Sequence, residues 1–181
     1  MTDRDPFSKL LALAQRSEEI GVELPTRENT RTHWNGLGFS LLEHRFVVPL
    51  SEIGELMRLP MVTKLIGVKE FVVGVANVRG RLLVVIDLAM FFGQPSSFSK
   101  AQRRVFAVGD EEQYFGFMVD ESLGMQHFPS EAFVDSDAEV QEEFKPFVTG
   151  FYNVGGAIWP VFSLAKLAKH QSLAKLAESA A

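Results

Sequence analysis

The sequence predicts an all-β protein made of two small barrels packed on each other. Three observations lead there. Short apolar runs recur at close spacing from Leu37 to Phe162, broken by glycines and charged turns, which is the texture of barrels and sandwiches. One such unit occurs twice: GVANVRGRLLVVIDL (residues 74–88) matches GFYNVGGAIWPVFSL (150–164) at an offset of 76, with identity at six of fifteen positions. The composition supports a packed core, with 46% hydrophobic and 23% charged residues among 181, whereas a disordered chain combines low hydrophobicity with dense charge.

The elements follow in order. Pro6–Ile20 reads as a helix: Asp5 can cap it, Pro6 suits its first turn, and Phe7, Leu10, Leu11 and Ala14 share one face before Gly21 ends the stripe. The polar stretch Pro25–Asn35 reads as a linker, so residues 1–34 form a helical extension ahead of a main body over 35–171. Phe39–Leu42 and Phe46–Leu50 are strand-like around a polar turn, Glu43–His44–Arg45. Val72–Val78 and Leu82–Ile86 form a hairpin around Arg79–Gly80–Arg81, and Val105–Val108, Tyr114–Val119, Phe147–Phe151 and Ala157–Phe162 repeat the style.

In both copies of the repeat the second strand runs into a good N-cap residue, Asp87 or Ser163. A short helix Leu88–Phe92 stopped by Gly93 follows the first, and a longer helix from Leu164 follows the second. Gly74 and Gly80 are explained by backbone geometry, a close approach and a tight turn. SLAKLA occurs at Ser163–Ala168 and again at Ser172–Ala177. Nine residues turn a helix by about 180°, so only the first copy is expected to pack, leaving 172–181 as a tail.

Composition also excludes function classes. Net charge is 18 − 23 = −5, which argues against a general nucleic-acid binder and against an electrostatic membrane binder. There is no Cys, hence no disulfide, thiolate metal site or Cys nucleophile, and the cytoplasm is the natural reading. The N-terminus does not read as a signal peptide, and no apolar run reaches membrane-spanning length.

No enzyme constellation assembles. His33, His44, His127 and His170 stand apart, without the spacing of a metal site, and neither GxSxG nor a P-loop is present. The acidic residues Glu131, Asp135, Asp137, Glu139, Glu142 and Glu143 lack calcium-loop spacing and read as a solvated loop. No cofactor or metal is expected. Sixteen Phe either fill barrel interiors or form a stacking platform, which leaves a small-ligand or oligonucleotide-binding barrel as the alternative function. The acidic balance favours the interiors.

GVANVRGRLLVVIDL, then YFGFMVDESLG, then VTGFYNVGGAIWPVFSL together resemble the CheW-like family of chemosensory adaptors, over roughly residues 37–170. Asn77-Val78-Arg79-Gly80 with Val85-Ile86-Asp87-Leu88 is the best match, and Gly116, Val119, Asp120 and Gly150 follow in order. The N-terminal helix and Trp34-Asn35-Gly36-Leu37-Gly38-Phe39 are most similar to the variant serving type IV pilus (twitching motility) systems. Two departures stand out. Val84 occupies a slot where the family usually has Pro (Pro160 fills it in the second copy), and the connector Leu65–Glu70 contains no Pro.

The resemblance implies two five-stranded SH3-like barrels with a helix at each end and no catalytic activity. The implied partners are the cytoplasmic tip of a methyl-accepting chemoreceptor and the CheW-like regulatory domain of a CheA-type histidine kinase, met in the cytoplasm at membrane-associated arrays. It places Glu55 and Arg79 facing each other near the receptor groove. Leu50 and Ile53 become apolar anchors for a helical tip, unless they belong to the core, and Val75 and Val105 weaker candidates on the opposite wall. Arg79 could instead be a solvated turn residue.

Overall fold

The computed structural model describes residues 33–109, 113–135 and 140–173. The predicted helix Pro6–Ile20 lies outside them. Eleven strands form: β1 (His33–Leu41), β2 (His44–Pro49), β3 (Glu55–Arg58), β4 (Val72–Val78), β5 (Arg81–Asp87), β6 (Arg104–Gly109), β7 (Tyr114–Val119), β8 (Glu121–Pro129), β9 (Phe133–Val134), β10 (Val148–Val154) and β11 (Ala157–Phe162). Two short helices follow the repeated hairpins, α1 (Leu88–Phe91) and α2 (Leu164–Ala168).

The strands sort into two sheets, ordered β8-β1-β2-β11-β10-β9 and β3-β6-β7-β5-β4. The same plan is used twice. In each, the repeated hairpin (β4–β5 or β10–β11) pairs through its second strand, in parallel, with another antiparallel hairpin (β6–β7 or β1–β2). The second sheet is contiguous in sequence. The first takes β1 and β2 from before it and β8–β11 from after it.

Each sheet closes in the same way, which accounts for the two-residue β9. Beyond β3 the chain returns to pair with β4: Thr63 and Val75 exchange two backbone hydrogen bonds of 2.8 and 2.9 Å. Beyond β8 the chain returns as β9 to pair with β10, where Val134 faces Phe151, the residue 76 positions after Val75. The closure demands glycine: a Cβ at Gly74 would lie 2.4 Å from the Thr63 carbonyl oxygen, and one at Gly150 would lie 2.2 Å from the Phe133 ring. The offset also recurs in the backbone bonds Asp87 N to Phe71 O and Ser163 N to Phe147 O, both 2.8 Å. The expected pair of five-stranded barrels is therefore present, with β8 and β9 acting as one bent strand.

Alternating side chains give three apolar cores, because successive strand residues face opposite sides. Leu83, Val85, Val105, Ala107 and Met118 fill the second barrel. Val47, Phe128, Tyr152 and Val161 fill the first, with Trp34 stacked on Tyr152 at 4.8 Å. The intervening positions build the largest core, between the barrels: Phe39, Phe46, Ile86, Phe106, Phe115, Phe117, Phe144 and Phe162. Phe39 meets Phe106 of the other barrel edge-on at 5.5 Å. Phe133 is the only exposed Phe among the described residues, so the aromatic content is packing material.

Several boundaries differ from expectation. β1 begins at His33, inside the predicted linker, because Trp34 has an aromatic stack to join. The first hairpin turns at Leu42–Glu43, both with positive φ (50° and 68°), and His44 and Arg45 belong to β2. The second SLAKLA copy does not fray at its start: Leu173 is fully buried in the inter-barrel core. A rotation of about 180° over nine residues holds only in one continuous helix, whereas α2 ends at Ala168 and the chain bends at Lys169–His170 before Leu173 N bonds to His170 O.

Candidate functional site

The segment joining the barrels carries the site. After β2 the chain makes a single 3₁₀ turn, Leu50–Glu52, then enters β3 at Glu55. Leu50 is 38% exposed, and Ile53 is half-buried against the inter-barrel core. Beside them runs an open groove of about 400 Å3, lined by Glu52, Ile53, Val108, Phe115, Ala165, Ala168 and Lys169. Its lining mixes apolar side chains (Ile53, Val108, Phe115) with polar ones (Ser51, Glu52, Gln113, Lys169). The connecting segment, the β6–β7 end of the second barrel and α2 contribute its walls, an arrangement suited to an amphipathic helix.

Glu55 and Arg79 meet. The Arg79 Nη2 donates to Glu55 Oε1 at 3.0 Å, with the Arg side chain 80% exposed and the Glu side chain 27% exposed. The β4–β5 turn presents Arg79. Arg79 and Gly80 both take positive φ (54° and 81°), the type I′ geometry of a two-residue hairpin, and Asn77 Oδ1 accepts from Gly80 N at 2.9 Å. The second copy solves the same turn with Gly155 and Gly156, at φ 60° and 80°. Glycine is the unstrained choice at the first turn position, so the fold does not ask for arginine there.

The remaining candidates separate. Val75 is half-buried on β4, tied by the Thr63 bridge. Val105 is fully buried among Ala76, Leu83, Val85, Ala107 and Met118 and cannot touch a partner. That corrects the sequence reading: β6 is flanked by β3 and β7, and the pleat turns Val105 into the barrel. Ser163 caps α2 by accepting from Lys166 N at 3.1 Å.

Asp87 caps α1, accepting from Met90 N at 3.3 Å, but that is half of its environment. Arg103, 3% exposed, donates to both Asp87 oxygens at 2.7 Å. Its Nε lies 3.5 Å from Asp120 Oδ1. Asp120 also accepts from Leu42 N at 2.7 Å and from the Ser96 hydroxyl, and its own N–H donates to Ser40 O at 3.1 Å. A buried ionic cluster thus fastens the first hairpin of one barrel to the helix cap of the other. Sequence reading missed Arg103. The one available signal was the Arg103–Arg104 pair ahead of the apolar run Val105–Val108, which reads equally well as a solvated strand end.

The acidic loop stays solvated where it is described: Glu131, Asp135, Glu142 and Glu143 are exposed, with Glu142 paired to Lys145 at 2.5 Å; Asp137 and Glu139 lie outside the described residues. Among the described residues no three His, Asp or Glu side chains gather as a metal site. No helix among them is long and apolar enough to cross a membrane. One pKa shift concerns the first barrel, where burial pushes the Tyr152 phenol above its ordinary 10.0.

Comparison with known proteins gives a consistent answer. Residues 35–172 match the CheW-like domain family. The protein PilI of Pseudomonas aeruginosa is 39% identical over 172 residues, which span 95% of this chain and 96% of PilI. The chemotaxis protein CheW of Helicobacter pylori is 26% identical over 113 residues, 62% of this chain and 68% of its own. The crystal structure of the scaffolding protein TtCheW from Thermoanaerobacter tengcongensis superimposes with a TM-score of 0.66, at 23% identity, over 77% of this chain and 94% of TtCheW. The chain belongs to the CheW-like family, whose members are non-enzymatic scaffolds.

Proposed function

We propose that this scaffold couples the cytoplasmic tip of a methyl-accepting chemoreceptor to the CheW-like regulatory domain of a CheA-type histidine kinase, in a cytoplasmic array controlling type IV pilus twitching motility. The pilus assignment is supported by the 39% identity to PilI. The observation that carries the coupling role is Arg79. It is held in left-handed backbone that the sister turn gives to Gly155, and its ion-pair partner Glu55 directly follows Ser51–Gly54, the stretch that forms one wall of the open groove. An exposed pair contributes only about 0.2–1 kcal/mol to stability. A charged pair at a groove rim instead orients a partner and rejects wrong ones. Leu50 and Ile53 supply the apolar anchors for the receptor helix, with Val75 an outer contact.

Calorimetry with a purified receptor-tip fragment and with the kinase regulatory domain tests the reading. Both are expected to bind. Glu55→Lys and Arg79→Glu are each expected to weaken receptor binding while moving the melting temperature by only about 2–4 °C. Silence toward both partners at high micromolar concentration refutes the role. A collapse of stability in either variant would make the pair structural.

A further inference from the structure

One wall of the groove is tethered to the other by a single carboxylate. Glu52, on the 3₁₀ turn, accepts from the Ser163 hydroxyl at 2.8 Å through Oε1 and from Ala165 N at 3.0 Å through Oε2. The Ser163 oxygen in turn accepts from Lys166 N. These bonds span 111 and 113 residues of sequence and reach from the Ser51–Gly54 wall to α2, the wall carrying Ala165 and Ala168.

The repeat shows that capping alone does not call for such a tether. At the matching slot Asp87 caps α1 with its own carboxylate. In the second copy the slot holds a neutral Ser, and the negative charge arrives from across the groove. A local cap would stabilise the helix equally well but would leave α2 free of the opposite wall.

We propose that Glu52 is a positioning residue for partner recognition: its bridge to Ser163 and Ala165 fixes the spacing between the Ile53 and Ala165–Ala168 walls, and so presets the groove for the receptor helix. This rests on the receptor-binding reading above. Preset spacing favours binding because the ordering is done before the partner arrives.

Ser163→Asp separates positioning from mere helix stability. It gives α2 the self-cap that α1 already has and sets a second carboxylate against Glu52, so the helix stays capped while the walls are pushed apart. Receptor-tip affinity is expected to fall about tenfold, the scale of one lost charged hydrogen bond. The melting temperature and kinase-domain affinity are expected to stay near wild type. Adding Glu52→Gln restores the bridge, since the Gln amide donates to the carboxylate introduced by Ser163→Asp and its carbonyl accepts from Ala165 N, and is expected to recover most of the lost affinity. The proposal is overturned if Ser163→Asp binds the receptor tip as wild type does, if it weakens both partners alike, or if the double variant gives no recovery. A wild-type chain that fails to bind the receptor tip refutes the receptor reading itself, a result distinct from all three.

Discussion

Replacing Arg103 with methionine removes a cation that serves two buried carboxylates. The guanidinium is 3% exposed, Asp120 is 2% and Asp87 is 12% by side chain, so little water can take its place. Removing one partner of a buried pair costs about 3–5 kcal/mol, because the other charge is left stranded. Here two charges are stranded, the bidentate link to Asp87 is lost, and carbonyl contacts to Met118 and Val119 go with it. The upper part of that range is therefore expected. At about 2–4 °C per kcal/mol for a chain of this size, the melting temperature should fall by roughly 10–15 °C. Thermal unfolding and urea titration both read this. Arg104→Met is the internal control: its side chain bonds to main-chain carbonyls of Ala101, Gln102 and Arg103 at the surface, and its loss should cost less than about 0.5 kcal/mol. Arg103→Lys, which keeps the charge but not the fork, should fall between the two. If Arg103→Met costs under about 1 kcal/mol, the cluster does not hold the barrels together as argued.

Two further outcomes follow from the barrels. Gly74→Ala drives a methyl into the Thr63 carbonyl and opens the closure of the second barrel, so it should cost at least about 2 kcal/mol in urea unfolding; Gly80→Ala meets no neighbour within 4 Å and bears only the positive-φ penalty of about 1 kcal/mol, and equal losses would contradict the steric account. Tyr152 links stability to alkaline pH: its folded pKa is raised, so above pH 10.0 the unfolded chain loses the proton first and stability declines, a trend that Tyr152→Phe should reduce when unfolding is followed between pH 9 and about pH 11.

Much of this was legible in the residues. The repeat at 74–88 and 150–164 set out two hairpins, two caps and the two-barrel plan, because each slot is constrained by local geometry: glycine at the close approach, Asp or Ser at the cap. The Glu55–Arg79 pairing followed from resemblance, not from spacing. What stayed hidden shares one property. β8 is largely exposed and bulges near Gly124, so its alternation is faint. β9 is two residues long. Val105 looks like any strand valine until its neighbours on both sides are known. Arg103, Asp120 and Glu52 act through partners 15 to 113 residues away, and a linear pattern carries no trace of such pairings.

The split origin of the first barrel fixes the order in which its strands become available during synthesis. β3–β7 emerge as one run and can close through Thr63 and Val75 while the rest of the chain is still being made. The β1–β2 hairpin, already out, lacks β8 until Pro129 and β11 until Phe162 has been translated. Its Phe39 and Phe46 face needs cover meanwhile, and the finished neighbour offers it through Phe106 and Phe117. In the finished protein the contiguous module is thus the surface against which the discontinuous one packs.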